Sequence, residues 1–171
     1  DFGITENSVK TLKNIQSSNP EVILIAGDLG QSTAKEWIEL SEFIDKDKMY
    51  IALGDSDLVE RNDYLKHSGL NDDYYSFDYQ NMHFLAISTN EEKNDELGII
   101  SDTIQLDFIR ADLNNAADNP RTDWLIVFLH HPMYTSEPNP YSMDLRNILQ
   151  PTFDLYGVDL VINGHKHAYE R

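Results

Sequence analysis

The chemistry of this chain is concentrated where apolar runs end. In the segment Gly164 to Arg171, GHKHAYER, His165 and His167 stand two apart directly after Val158, Leu160, Val161 and Ile162. Residues two apart in extended backbone point the same way, and Gly164 permits a sharp turn, so both imidazoles can face one site. Two imidazoles alone do not hold a metal, which needs further donors. A polar loop with surface histidines is the plain alternative. Three other apolar runs end in a potential donor: Val22 to Gly27 lead to Asp28, Tyr50 to Gly54 to Asp55, and Trp124 to Leu129 to His130. An Asp after a strand also caps helices and forms Asx turns, so no single position decides the matter. Four such strand ends in one chain make a metal site the better explanation.

The elements that must position these groups are legible from periodicity. Short apolar runs bounded by turn residues read as buried strands, and buried parallel strands present functional groups at their carboxyl ends. Val9, Leu12 and Ile15 predict a helix opening near Thr5 or Asn7 and stopping before Pro20. Trp37, Leu40, Phe43 and Ile44 predict a second from about residue 33 to 45, and a short helix is expected over Leu58 to His67. Tyr74 to Tyr79 and His83 to Ser88 read as an antiparallel hairpin, with His83 a half-buried strand residue rather than a ligand. Asn90 to Leu97 reads as a solvated acidic loop. Ile104, Phe108, Ile109 and Leu113 predict a helix capped by Asp102 or Thr103. Leu145, Ile148 and Leu149 open another, interrupted by Pro151, before the strand that leads to the GHKH loop.

The ordered blocks Asp1-Phe2-Gly3, GDLG at 27 to 30, GDSD at 54 to 57, VFLHHPMY at 127 to 134 and GHKHAYER resemble the calcineurin-like metallophosphoesterases, within them the purple acid phosphatase branch. The resemblance spans the whole chain, and its most specific part is HHPMY followed downstream by GHKHAYER. It implies an α/β fold, the α/β/β/α sandwich of that superfamily, here as a central portion lacking the first and last strands. It also implies a dinuclear site. Asp1 and His167 would hold one ion, Asp55, His130 and His165 the other, and Asp28 would bridge both. The implied activity is hydrolysis of phosphate esters by a metal-activated hydroxide. The residue types suit that chemistry, because a carboxylate can span ions about 3.5 to 4 Å apart and neutral imidazoles bind borderline metals without cancelling their charge.

Three departures shape the expectation. The position three after the bridging Asp, a Tyr ligand in the branch, is Gln31, so divalent ions (Fe, Mn or Zn) and no purple colour are expected. Asp55 replaces the usual Asn and adds negative charge, which brings the core close to neutral and weakens attraction for phosphate. Ser56 replaces a histidine that helps protonate the leaving group, and a hydroxyl cannot act as an acid near pH 7. The further histidines of the plant enzymes fall on Asn139 and Pro140. His131 is the nearest remaining imidazole and the candidate catalytic residue, with a supporting or structural role as its alternative.

Composition bounds these readings. The 171 residues, 40% of them hydrophobic, suffice for one core, so residues 1–171 are expected to form a single catalytic domain, a piece of a longer chain. There is no cysteine, hence no disulfide scaffold. Thirty acidic against 13 basic residues give a formal charge of −17, which opposes nucleic acid or an anionic membrane as a specific partner and leaves a small phosphate ester as the expected one. No apolar run approaches the roughly 18 residues of a membrane helix. Two function classes follow: a metal-dependent phosphoesterase, or a degenerate relative that keeps the fold as a binding or structural module, favoured by Gln31, Asp55 and Ser56.

Overall fold

The computed structural model describes residues 2–30, 33–93, 96–99, 103–137 and 140–171. The chain begins with α1 (Glu6–Ser18), β1 (Ile23–Ala26), α2 (Ala34–Ser41), β2 (Met49–Ala52), a 3-10 turn over Asp55–Glu60 and α3 (Arg61–Ser68). It continues with β3 (Tyr75–Tyr79), β4 (Met82–Ile87), β5 (Glu91–Lys93), β6 (Glu96–Ile99), α4 (Thr103–Ala117), β7 (Trp124–Leu129), α5 (Pro140–Tyr156) and β8 (Leu160–Ile162). β1 and β2 pair in parallel. A second sheet has the order β3-β4-β7-β8, antiparallel only between β3 and β4.

Strand periodicity sorts the side chains into three apolar layers. Ile23, Ile25, Met49 and Ile51 face α1, α2 and α3 through Leu12, Trp37 and Leu65. Their alternates Leu24, Tyr50 and Ala52 meet Phe84, Ala86, Ile126 and Phe128 of the other sheet. The opposite face of that sheet, Leu85, Ile87, Val127 and Leu129, packs on Ile109 and Leu113 of α4 and Leu145, Leu149 and Phe153 of α5. The architecture is therefore α/β/β/α, as the resemblance implied. A one-residue slip of β4 would move Leu85 and Ile87 from the helix layer to the inter-sheet layer, so register is fixed by burial.

Local signals explain the element ends. Thr5 caps α1, its Oγ1 accepting from Ser8 N at 3.1 Å while Thr5 N donates to Ser8 Oγ at 3.2 Å. Asn19 closes the same helix at φ 45°. Three expectations change. The helix expected over Leu58 to His67 is a 3-10 turn followed by α3, a break that leaves Asp57 pointing inward. Asn90 to Leu97, expected as a loop, includes β5 and part of β6, because backbone pairing from Glu91↔Ile99 to Lys93↔Glu96 needs no apolar side-chain pattern. α5 runs through Pro151. Interrupting the helix there would save about 3 kcal/mol, but Leu145, Leu149 and Phe153 lie on one buried stripe across the proline and contribute roughly 1.5–3 kcal/mol each. Asp102, the alternative cap of α4, lies outside the described residues.

Candidate metal centre at the strand ends

The strands deliver their terminal residues to one place. β1 leads to Asp28, β2 to Asp55, β7 to His130 and His131, and β8 to His165. His130 is fully buried and held by its own ring: Nδ1 lies 2.8 Å from the Ala26 carbonyl. A carbonyl oxygen only accepts, so Nδ1 bears a proton and Nε2 faces the site. That Nε2 is 2.9 Å from Asp55 Oδ1, 3.2 Å from His165 Nδ1 and 3.6 Å from Asp28 Oδ1. His165 Nδ1 is 3.4 Å from Asp55 Oδ1.

Glycine makes this approach possible at two positions. Gly27 has φ +81°, and a Cβ there would lie 2.3 Å from His130 Nδ1. A Cβ on Gly54 would lie 2.2 Å from Asp28 Oδ1. Asp28, His165 and His167 themselves adopt left-handed backbone, at φ 51°, 71° and 49°. Such conformations cost on the order of 1–3 kcal/mol each and persist where surrounding contacts enforce them. Here Gly164 N donates to the His130 carbonyl at 3.0 Å, tying the β8 loop to the β7 loop. The amides of Phe2 and Gly3 donate to the Asp28 carbonyl at 2.8 and 3.0 Å and latch the start of the chain to the same place.

Electrostatics follow from these contacts. The hydrogen bond with His130 holds the Asp55 carboxyl well below the usual carboxylate range against the opposing effect of burial. Burial, then the neighbouring His130 and His165, push His131 down to about 3, so it is a neutral imidazole near pH 7. Burial followed by His130 also lowers His165. Neutral imidazoles beside an ionised carboxylate are the donor set that a borderline divalent cation accepts.

The structure brings together Asp55, His130, His131 and His165, whose candidate donor atoms all lie within 4.8 Å of one another, with Asp28 alongside. His167 stands exposed on the same loop and outside that group. Asp1 and Gln31 lie outside the described residues, as does Asn139.

Sequence reading missed two positioning devices. Ser56 donates to Asp28 Oδ1 from its hydroxyl at 2.8 Å and from its amide at 3.1 Å, so it orients the carboxylate that it follows in space. Asp57 is fully buried; Oδ1 accepts from Leu29 N at 2.9 Å and Oδ2 from Gly54 N at 2.8 Å. One carboxylate thus staples the Asp28 loop to the Asp55 loop. Burial raises it to about 6 despite these donors. Glu60, from the same 3-10 turn, accepts from Ala34 N at the start of α2. The only sequence signal for these roles was a second acid in GDSD.

Fold and strand-end donors together define an α/β/β/α sandwich that gathers imidazoles and carboxylates at one rim. The model of the calcineurin-like phosphoesterase family matches residues 2–169, and the chain belongs to that family. It is 27% identical over 201 residues to purple acid phosphatase 21 of Arabidopsis thaliana and 26% identical over 200 residues to a phosphoenolpyruvate phosphatase of Allium cepa. Each alignment covers all of this chain but only 43% and 40% of the relative, so the chain spans less than half the length of these proteins. Among solved structures, the inner-membrane-complex anchor GAP50 of Plasmodium superposes with a TM-score of 0.60 at 18% identity, over 92% of this chain and 59% of the other. That likeness supports the fold.

Proposed function

We propose that the chain is a metal-dependent phosphoesterase that hydrolyses small phosphate esters at a dinuclear site. The observation that supports it most is the convergence of Asp28, Asp55, His130 and His165 from four strand ends, with the Nε2 atom of His130 turned toward all three others. In this reading Asp55, His130 and His165 hold one divalent ion, Asp1 and His167 the other, and Asp28 lies between them. Fe, Mn and Zn all suit such donors. Bound ions of this kind supply a nucleophile from water near neutral pH and positive charge for the phosphoryl oxygens.

The remaining work falls to the chain's own residues. Asp57 and Ser56 fix the two carboxylate loops, and Asp55 stays ionised. Proton donation to the leaving group is the weak step. Ser56 is engaged with Asp28, and His131, the imidazole nearest to such a role, is buried and neutral. Acid assistance is worth roughly 10² to 10⁴ in rate, and matters least when the leaving group is itself acidic. Aryl phosphates should therefore be cleaved at least about 10²-fold faster than alkyl phosphates. Measuring both after metal reconstitution tests the proposal, with absence of any metal-dependent hydrolysis as the result that removes it. The specific observation on the side of a non-catalytic module is that same Ser56, whose hydroxyl serves Asp28 instead of a substrate.

A further inference from the structure

We infer that His131 is a metal ligand, closing with Asp55, His130 and His165 a four-donor site of three nitrogens and one oxygen. The inference shares the metal centre of the proposed function but adds a donor which that reading leaves as an acid or a support.

The spacing of the donors carries the argument. Zinc binds imidazole nitrogen and carboxylate oxygen at about 2.0–2.2 Å in tetrahedral sites, which places neighbouring donors about 3.3–3.5 Å apart. Three pairs already stand near that edge length: His130 Nε2 to Asp55 Oδ1 at 2.9 Å, His130 Nε2 to His165 Nδ1 at 3.2 Å, and His165 Nδ1 to Asp55 Oδ1 at 3.4 Å. The donor of His131 lies within 4.8 Å of each of these three. Its ring packs 4.4 Å from that of His165 and 4.9 Å from that of His130, centroid to centroid.

A second observation concerns the far side of the ring. His131 is 98% buried, and its Nδ1 lies 2.9 Å from Thr89 Oγ1, which also accepts from the His131 backbone amide at 3.2 Å. Thr89 thereby occupies Nδ1 and leaves Nε2 as the ring atom that can bind. Ligating histidines are held in this way, one nitrogen on the metal and the other on a fixed oxygen. His130 follows the same pattern through the Ala26 carbonyl.

The neighbouring groups explain why a cation belongs there. With Nδ1 of His130 on Ala26, its Nε2 lies 2.9 Å from the Asp55 carboxylate, and His165 Nδ1 lies within reach of both. A cation shared by the three would take the place of the ring proton that links His130 to Asp55.

The test uses the whole chain, stripped by chelator and then titrated calorimetrically with Zn²⁺ and, separately, with Co²⁺ while visible absorption is recorded. The wild type should take up one tight equivalent, with the intense cobalt bands of four-coordinate geometry. His131→Ala should weaken Zn²⁺ binding by more than about 100-fold and turn the cobalt spectrum to the weak bands of higher coordination. Thr89→Val should weaken binding by roughly 10-fold while keeping the four-coordinate spectrum. If His131→Ala does not fold by circular dichroism, His131→Gln serves with the same readouts. Unchanged affinity and cobalt spectrum in either variant overturn the assignment, even if the wild type hydrolyses aryl phosphates. Conversely, a wild type with the expected site but no hydrolysis retains the assignment and removes the phosphoesterase reading; a wild type that binds no metal removes both.

Discussion

Two buried histidines occupy opposite ends of one sheet, and their surroundings give them opposite characters. His83, second residue of β4, is 7% exposed and sits between two carboxylates, Nδ1 2.7 Å from Asp78 and Nε2 2.8 Å from Asp112. Ser76 completes the arrangement by donating to Asp112 at 2.6 Å. Burial pulls His83 down, but the hydrogen bonds to Asp112 and Asp78 outweigh it and the net shift is upward. His130, just past β7, is fully buried, with one nitrogen on a carbonyl and the other turned toward a carboxylate and a second imidazole. His83 has both ring nitrogens matched and belongs to the framework that joins α4 to the β3-β4 hairpin. At His130 one ring nitrogen meets a carboxylate and a second imidazole together, at the mouth of the strands.

The largest expected effect is on His130. His130→Ala should remove metal-dependent hydrolysis by more than the roughly 100-fold that loss of a supporting partner costs, whereas His83→Gln should leave the metal-loaded rate within a few-fold. Equal losses in the two variants would erase the contrast. Metal saturation at about a hundred times Kd should raise the wild type's stability by about 2.7 kcal/mol, or roughly 5 to 10 °C in Tm, and do the same for His83→Gln but not for His130→Ala. Differential scanning calorimetry with and without Zn²⁺ reads this directly. His83→Gln should instead cost about 1–3 kcal/mol of stability in the metal-free protein, since one carboxylate loses its partner inside the fold. Urea unfolding provides the number, and no loss would mean that the Asp78 and Asp112 contacts are idle.

The smallest effect is a pH slope. The folded pKa of His83 lies above its ordinary 6.5, so its contribution is complete below about 6.5 and fades as pH rises through the folded value. Asp55, depressed below 3.8, behaves in the opposite sense: its contribution is present above that value and fades as pH falls through the folded one. Unfolding free energy measured across both windows should lose the alkaline slope in His83→Gln and keep the acid one.

The strand ends were legible because burial and chemistry coincide there: each apolar run had to be a buried strand, and the next polar residue had to lie at its mouth. Asp28, Asp55, His130 and His165 are read that way, and so is the framework nature of His83. His131 was read as a candidate acid, and the approach of its ring to His165 was hidden by strand alternation, which aims adjacent residues to opposite faces. The chain bends at His130 and His131, and the bend puts both rings beside His165. The continuity of α5 across Pro151 was hidden for another reason, since propensity is local and the stripe that outweighs it is defined only by the partners of Leu145, Leu149 and Phe153. Asp57 offered no more than the second acid of GDSD. Its role depends on two amides brought together from Leu29 and Gly54, 25 residues apart in sequence.

That staple separates the inheritance of shape from the inheritance of chemistry. Because the Asp57 carboxylate is bound by the backbone amides of Leu29 and Gly54, substitutions at the side chains of Asp28, Asp55 or Ser56 leave those hydrogen bonds in place. A lineage can therefore exchange the groups at the rim while the two loops keep their spacing, and the reverse order of change is closed. Replacing Asp57 by Asn would set an amide donor against a backbone donor and loosen both loops at once, whatever they then carry.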